Sequence, residues 1–531
     1  MGVMEDFAGG LRVPKTMSDY LQMMEDVKRE NLVPSSPEWV ERHHAAGKFT
    51  ARERIELLVD PGSFEEEGSF VRDVLPPLYG EEASSAADGV ILGPAKIDGR
   101  PVMVWATDPA VLSGSIGDQG AWKIHGAVQY AGRWQVPVIG IVDSMGTRFD
   151  LKDGGAGVEG FARLLRTESL FSGVIPQIVV VAGNCIGPIA HVVSLADFAL
   201  MTEGSTMWLG GDLPSGAGTA DYHAENTGVC DFVCGGEKDA FRMVRELLGY
   251  LPQNCQEKAP FVDTWDDPNR RDEEMLDVLP QDSRQTYDIH DLIEKVVDNG
   301  EFLEIKEVFR PNFVCGFARF GGRVAGICAN NPDEMAGVLE PDSSDKYYRF
   351  MLFLDAFGIP IVDLVDTTAF IVGDHWEKKG VLRHGSKLLY GYSIFRAPKV
   401  TVLLRRSYGG ANLVMGGRGM RPDFAFAWPD VEMAPTGPDT VIQAVFNKDL
   451  EQAMKEGGKE KYDEVYSKYR EALVKGFSIW QWARSWTCMY TVHEIIDPRD
   501  TRRKICKALE TAEHKDEWVE LPDRKHGVEP F

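Results

Sequence analysis

Short apolar runs recur along the chain, each opened by a proline or an Asp-containing turn and closed by glycines. In the first half they are PVIGIV from 137, PQIVVVAG from 176 and ADFALM from 196; in the second they are PIVDLV from 360, PKVTVLL from 398 and PDFAFAW from 422. An uninterrupted apolar run bounded by turn signals predicts a strand covered on both faces, as in a parallel sheet. Between the runs the period lengthens. VLSGSIGDQGAWKIHGAVQYAGRW (111–134) predicts a Gly-rich turn entering an amphipathic helix, and residues 15–60 predict charged helices stopped by Pro61-Gly62. Segments 89–108 and 314–331 predict hairpins turning at Asp98-Gly99 and Gly321-Gly322. Strands alternating with helices define an α/β class.

The two halves match each other. Runs beginning at 137, 176 and 197 reappear at 360, 398 and 423, displacements of 223, 222 and 226 residues. A repeat of that size is a duplicated domain rather than a solenoid unit. It divides the chain into residues 1–265 and 286–531, joined by the acidic, Pro-containing segment 266–285. In each half a strand ends in a glycine turn, Cys185-Ile186-Gly187-Pro188 or Ser407-Tyr408-Gly409-Gly410-Ala411, ahead of a helical segment. Backbone amides at a helix start stabilise negative charge, so two such turns suit a reaction that develops two oxyanions.

Composition narrows the function. At 531 residues and 44% hydrophobic the chain can bury two cores, and its net charge of −25 argues against nucleic acid or an anionic membrane as partner. Residues 173–193 are uncharged but contain Pro176, Gln177, Asn184, Pro188 and His191, which predicts a strand and turn, not a membrane span. Eight cysteines are too sparse for a disulfide framework. With no signal-peptide core in MGVMEDFAGGLRVPKT, that usage points to a reducing, cytoplasmic setting. Ala453-Met454-Lys455 has the letters of a biotin-acceptor site but lies in a charged helical stretch, not the tight hairpin an acceptor lysine needs. No P-loop occurs, and no metal-ligand cluster stands out.

TARERIELLVDPGSFEE, SGSIGDQG, SGVIPQIVVVAGNCIGPIA, YDIHDLIEKVVDNGEFLEI, RHGSKLLYGYS, RRSYGGANLVMGGRG and RKHGVEPF, in that order, resemble the carboxyltransferase (β) subunits of biotin-dependent acyl-CoA carboxylases along essentially the whole chain. The resemblance implies two duplicated crotonase-like spiral β-sheet domains with flanking helices. It also implies a coenzyme A ester as substrate, biotin delivered on a partner biotin carboxylase or carrier subunit, and a homohexamer built as a trimer of dimers with shared sites. Gly187, Ile189, Gly410 and Ala411 are the implied oxyanion donors. Gly114, Ser115, Gly117, Lys123, Gly146, Arg148, His191, Gly373, Tyr408, Gly409 and Leu413 are the implied substrate-binding positions, with Lys123 and Arg148 facing CoA phosphates. The sequence departs from the family at Pro188, where the family has glycine, at His191, where it has tyrosine, and at Met145, Thr147 and Val372. Proline has no N–H to donate. Three other readings share these residues: a decarboxylase or transcarboxylase of a carboxyacyl-CoA such as glutaconyl-CoA, a non-catalytic assembly subunit, and a biotin-independent enzyme of crotonase type.

Overall fold

Each apolar run forms a strand of one of two mostly parallel sheets, and the intervening amphipathic segments cover them. The computed structural model describes residues 15–32, 37–72, 85–148, 156–212, 215–282, 285–480, 491–515 and 526–530. Residues 1–14, on which the signal-peptide reading falls, lie outside them. The chain divides into two compact units, Met1–Ala220 with Val233–Arg245, and Asp221–Phe232 with Glu246–Phe531.

The first sheet contains β1 (Val90–Ile97), β2 (Arg100–Thr107), β3 (Val138–Ser144), β4 (Gln177–Ile186), β5 (Phe198–Thr202), β6 (Thr206–Trp208) and β7 (Phe232–Cys234). Its order is β1-β2-β3-β4-β5-β7, with β6 beside β4. The second contains β8 (Phe302–Ile305), β9 (Phe313–Phe320), β10 (Arg323–Asn330), β11 (Ile361–Thr367), β12 (Lys399–Tyr408), β13 (Phe424–Ala427), β14 (Glu432–Ala434) and β15 (Glu494–Ile495). Its order is β15-β13-β12-β11-β10-β9-β8, with β14 beside β12. Both hairpins form where the sequence places them, with Ile97 opposite Arg100 and Phe320 opposite Arg323. Every residue of β3 and of β11 is buried, which is why those strands read as mostly apolar runs with no polar alternation, broken by the buried Asp143 in one and Asp363 and Asp366 in the other.

The duplication extends to irregularities. The β3–β4 register steps from Val142↔Val181 to Ser144↔Cys185, and β11–β12 steps from Val365↔Leu403 to Thr367↔Ser407. In both repeats the later strand carries extra residues before its turn, so it bends away from its neighbour. Segment 266–285 is tied to the second unit: Arg270 donates to the carbonyls of Lys295 and Val297, and Met275 is buried. Ala453-Met454-Lys455 lies within helix Asn447–Phe477, and no described helix is long and apolar enough to cross a membrane.

His290 fastens the start of the second unit, reaching Glu304 at 2.7 Å and Asp288 at 2.5 Å. The hydrogen bond to Glu304, aided by the one to Asp288, raises its pKa to about 9. Because the folded value exceeds the unfolded value of about 6.5, this stabilisation is fully present below pH 6.5 and is lost as pH rises through about 9. His290→Gln is expected to lower stability by about 1–2 kcal/mol at pH 6, after allowing for solvent screening at a partly exposed side chain. The deficit should close by pH 10; denaturant titrations giving a pH-independent difference would contradict this.

Candidate active site

The two glycine turns follow β4 and β12 and open short helices, Ile189–Leu195 and Gly409–Val414. Gly409 has φ +58°, and a Cβ there would lie 2.9 Å from the Pro435 carbonyl, so only glycine turns this corner. The next two amides, Gly410 and Ala411, have no backbone or side-chain acceptor among the described residues. A cavity of about 460 Å³ lies beside them, lined by Gly409, Gly410, Leu413, Met433, Ala434 and Pro435. Leu413 is exposed at its edge. Tyr408, which precedes the turn, is buried and donates its hydroxyl to Glu432. Burial, followed by that carboxylate, pushes its pKa far up, so it remains a neutral donor holding β12 against β14. Gly373 has φ +126° and open space at its Cβ position, next to the exposed Val372.

The first turn has the same path but fewer free donors. Gly187 has φ +76°, and its N–H donates to the Trp208 carbonyl at 2.9 Å, continuing the pairing of β4 with β6. Pro188 has no N–H. Ala190 and His191 donate to the carbonyls of Gly187 and Pro188, which leaves Ile189 as the amide of this turn without an acceptor among the described residues. At the displacement of 222, Pro188 corresponds to Gly410, Ile189 to Ala411 and His191 to Leu413. The His191 side chain is exposed, like its counterpart.

Both turns are anchored by an aspartate that sequence reasoning missed. Asp143 accepts the Asn184 N–H at 3.1 Å, and Asp366 accepts the Arg406 N–H at 3.2 Å, each filling the register step described above. Asp366 is paired with Arg405 and Arg406 from the strand it supports. Asp143 is paired with Arg54, a fully buried side chain from helix Ala51–Leu58 that also forks onto Glu237. The matching Val-Asp-Ser and Val-Asp-Thr triplets at 142–144 and 365–367 were the available signal. A second cavity of about 460 Å³ opens in the first unit, lined by Trp39, Arg42, His43, Lys48, Met145 and Asn184, among others.

The remaining candidates position backbone. Gly114 has no room for a Cβ, which would meet the Asp143 carbonyl at 2.2 Å, and its own carbonyl accepts from Ser144 Oγ. Gly117 caps helix Asp118–Trp134, and the Gly146 carbonyl accepts the Ile116 N–H while its own N–H donates to Ser144 Oγ. Lys123 and Arg148 are internal rather than solvated cations. Lys123 donates to the carbonyls of Gly68, Ala87 and Val90, and burial lowers its pKa to about 8. Arg148 pairs with buried Asp88 and donates to the Ser115 carbonyl. Their donors are directed at the protein itself, because the segment leading into β1 brings the carbonyls of Gly68 and Ala87 and the Asp88 carboxylate to them.

In both repeats, then, the corresponding strand of a mostly parallel sheet runs through a tight turn into a short helix, leaving backbone amides without an acceptor among the described residues. The carboxyl transferase domain family matches residues 42–528. The propionyl-CoA carboxylase carboxyltransferase subunit of Haloferax mediterranei is 36% identical, over 97% of this chain and 100% of that one. The α subunit of methylmalonyl-CoA decarboxylase of Veillonella parvula is 37% identical, over 93% and 95%. A transcarboxylase 12S crystal structure, described as a hexamer with methylmalonyl-coenzyme A bound, superposes with a TM-score of 0.90 at 34% identity, covering 98% of this chain and 100% of that one. This chain belongs to the carboxyl transferase family, as a carboxyltransferase subunit of the biotin-dependent acyl-CoA carboxylase type with crotonase-like domains.

Proposed function

We propose that the chain moves a carboxyl group between biotin borne on a partner subunit and the α-carbon of a short acyl-CoA, propionyl-CoA or its carboxylated form, within a homo-oligomer of six chains in the cytoplasm. The observation that carries this reading is the repeated turn with unaccepted amides, Gly410 and Ala411 in one unit and Ile189 in the other. Each is aimed at one of the two carbonyl oxygens that gain charge, the biotin ureido oxygen and the thioester oxygen. The cavity at Gly410 suits a flat, uncharged bicycle, since its lining is mainly apolar side chains and backbone. Carboxylated biotin bound there would supply the carboxyl group, and the ureido nitrogen freed as that group leaves would take the α-proton, so no side chain of this protein has to act as the base. Gly410 and Ala411 hold the ureido oxygen, Tyr408 fixes the turn, and Leu413 limits what lies beside it. In the first unit the Ile189 amide meets the thioester oxygen. Arg42 and Lys48, lining their cavity near Asn184, provide cationic contacts for the CoA phosphates, beside a His43 that burial and the Arg54 charge keep neutral.

The relatives run in both directions, as carboxylase and as decarboxylase, which fits a site whose two oxyanion supports serve either sense of transfer. The test is co-purification with mass spectrometry for a biotinylated partner, followed by assay of carboxyl transfer to propionyl-CoA by the complex with and without avidin. Avidin-insensitive turnover would overturn the biotin reading. Absence of any turnover by the intact complex would favour a non-catalytic assembly role, to which Pro188 lends some support.

Pro188→Gly restores the amide that Gly410 has in the other repeat. The expected result is a several-fold rise in kcat on propionyl-CoA, outweighing the roughly 0.4–1 kcal/mol by which a flexible glycine loosens the turn. An unchanged kcat would assign Pro188 a purely conformational role.

A further inference from the structure

The two turns are unequal in donors, and the side chains that lean over them differ in a matching way. The first turn leaves the Ile189 amide unaccepted among the described residues, whereas the second leaves those of Gly410 and Ala411. The missing amide is that of Pro188, which stands where Gly410 stands in the other repeat. Three places further on, the first turn has His191 and the second has Leu413. Leu413 lines the second cavity together with Gly409 and Gly410, so a side chain at this position borders the space in front of its own turn. Helical side chains also tilt toward the helix N-terminus, which carries a side chain at 191 over Gly187 and Pro188.

The imidazole of His191 is exposed and has no hydrogen-bond partner among the described residues. Its backbone is engaged instead: the N–H donates to the Pro188 carbonyl at 3.1 Å, and the carbonyl accepts from Ser194 Oγ at 3.0 Å. Packing makes no demand on the ring, because Ile189, Ala190, Val192 and Val193 bury the other side of the helix. In either tautomer a neutral imidazole carries one N–H donor. An oxygen that gains charge in the transition state is stabilised by donors already in place, and both backbone amides and histidine side chains serve. The first turn is short of one such donor, and His191 brings one to the same place.

We propose that His191 is a catalytic residue of the first turn: its ring N–H donates to the thioester oxygen of the acyl-CoA beside the Ile189 amide, in place of the amide that Pro188 lacks. The inference rests on the carboxyl-transfer reading above and adds a donor to it. No proton is transferred at this oxygen; the imidazole keeps its hydrogen while the oxygen gains and then loses charge.

Steady-state kinetics of carboxyl transfer to propionyl-CoA, by the intact complex with its biotinylated partner, test this. His191→Phe keeps a flat ring but removes the donor. It is expected to lower kcat by about 10–100-fold, less than the loss of a rigid amide, with KM within about threefold of wild type. His191→Gln, which retains an N–H, should stay within about fivefold of wild type. Adding Pro188→Gly to His191→Phe should raise kcat by about tenfold or more, beyond the several-fold rise expected in the wild-type background, because the restored amide then fills an empty place. Infrared difference spectra of isotope-labelled propionyl-CoA bound to this protein alone give a reading apart from turnover. The carbonyl stretch should lie at higher frequency in His191→Phe than in wild type or His191→Gln, since a lost donor polarises the bond less.

A folded His191→Phe with wild-type kcat, in a complex that is active, overturns the His191 assignment and leaves the carboxyl-transfer reading standing. Equal gains from Pro188→Gly in both backgrounds, with one carbonyl frequency in all three proteins, overturn it likewise, because independent sites add. If His191→Phe fails to fold, His191→Ala takes its place with the same expectations. A wild-type complex that turns over no acyl-CoA overturns the carboxyl-transfer reading and this inference together.

Discussion

Gly410→Pro should lower kcat for carboxyl transfer by about 10²–10³-fold while leaving the protein folded, the scale expected when one oxyanion-hole donor is removed. The fold should survive because Gly410 lies in the first turn of helix Gly409–Val414, where proline is tolerated, and its amide gives up no internal hydrogen bond among the described residues. A side chain also has room, since the nearest atoms to a Cβ there are those of the Phe370 ring, at 3.5 Å. Gly410→Ala is therefore the matched control: it adds the carbon, keeps the N–H and should retain most activity. Steady-state kinetics with the biotinylated partner, alongside thermal melts, separate the two. A proline variant with wild-type kcat would remove Gly410 from the chemistry, and an equal loss in both variants would mean that space rather than the amide matters.

The largest stability effect should come from Arg54→Met. The guanidinium is fully buried and holds two carboxylates, Glu237 at 2.6 and 2.9 Å and Asp143 at 3.1 Å. Removing it leaves both acids short of their main counter-charge, with Lys48 at 3.6 Å from Asp143 as the remaining cation there. Breaking a buried ion pair in this way costs about 3–5 kcal/mol. For a unit of this size that is a fall in Tm of roughly 6–20 °C. Arg54→Lys, which keeps the charge but loses the fork, should fall between the two. Because Asp143 also accepts the Asn184 N–H, the surviving folded fraction should be slower as well, with the strand end that carries Gly187 less well held. A melting temperature within about 1 °C of wild type would show that the network contributes nothing net, an outcome known for some buried ion pairs.

The fold was largely legible in the residues. Period, turn residues and the repeat of blocks at 222–226 residues gave both hairpins, the succession of elements within each repeat and the strand–turn–helix at Gly187 and Gly409, because buried parallel strands are mostly apolar and tight corners favour glycine. The weakness of the first turn was legible too, since Pro188 lacks an amide whatever surrounds it. What the residues did not show was where Lys123 and Arg148 would be spent. A lone cation reads the same whether it faces a phosphate or a buried carbonyl, and here long-range packing brings Gly68, Ala87 and Asp88 to them.

Sequence by itself therefore determined that there are two repeats, where their strands end and which turn retains its donors, since these depend on side-chain periodicity and on backbone groups that each residue type has or lacks. Tertiary structure alone decided how each turn is held. At corresponding places in β4 and β12 the chain has Gly183 and Arg405. In the second repeat Arg405 itself pairs with Asp366. In the first, a Cβ at Gly183 would run into the Asp143 carboxylate at 2.1 Å, and the counter-charge arrives from Arg54, 89 residues earlier in the chain. A buried carboxylate requires a cation, but any segment that folds within reach can supply it, and that choice exists only in three dimensions.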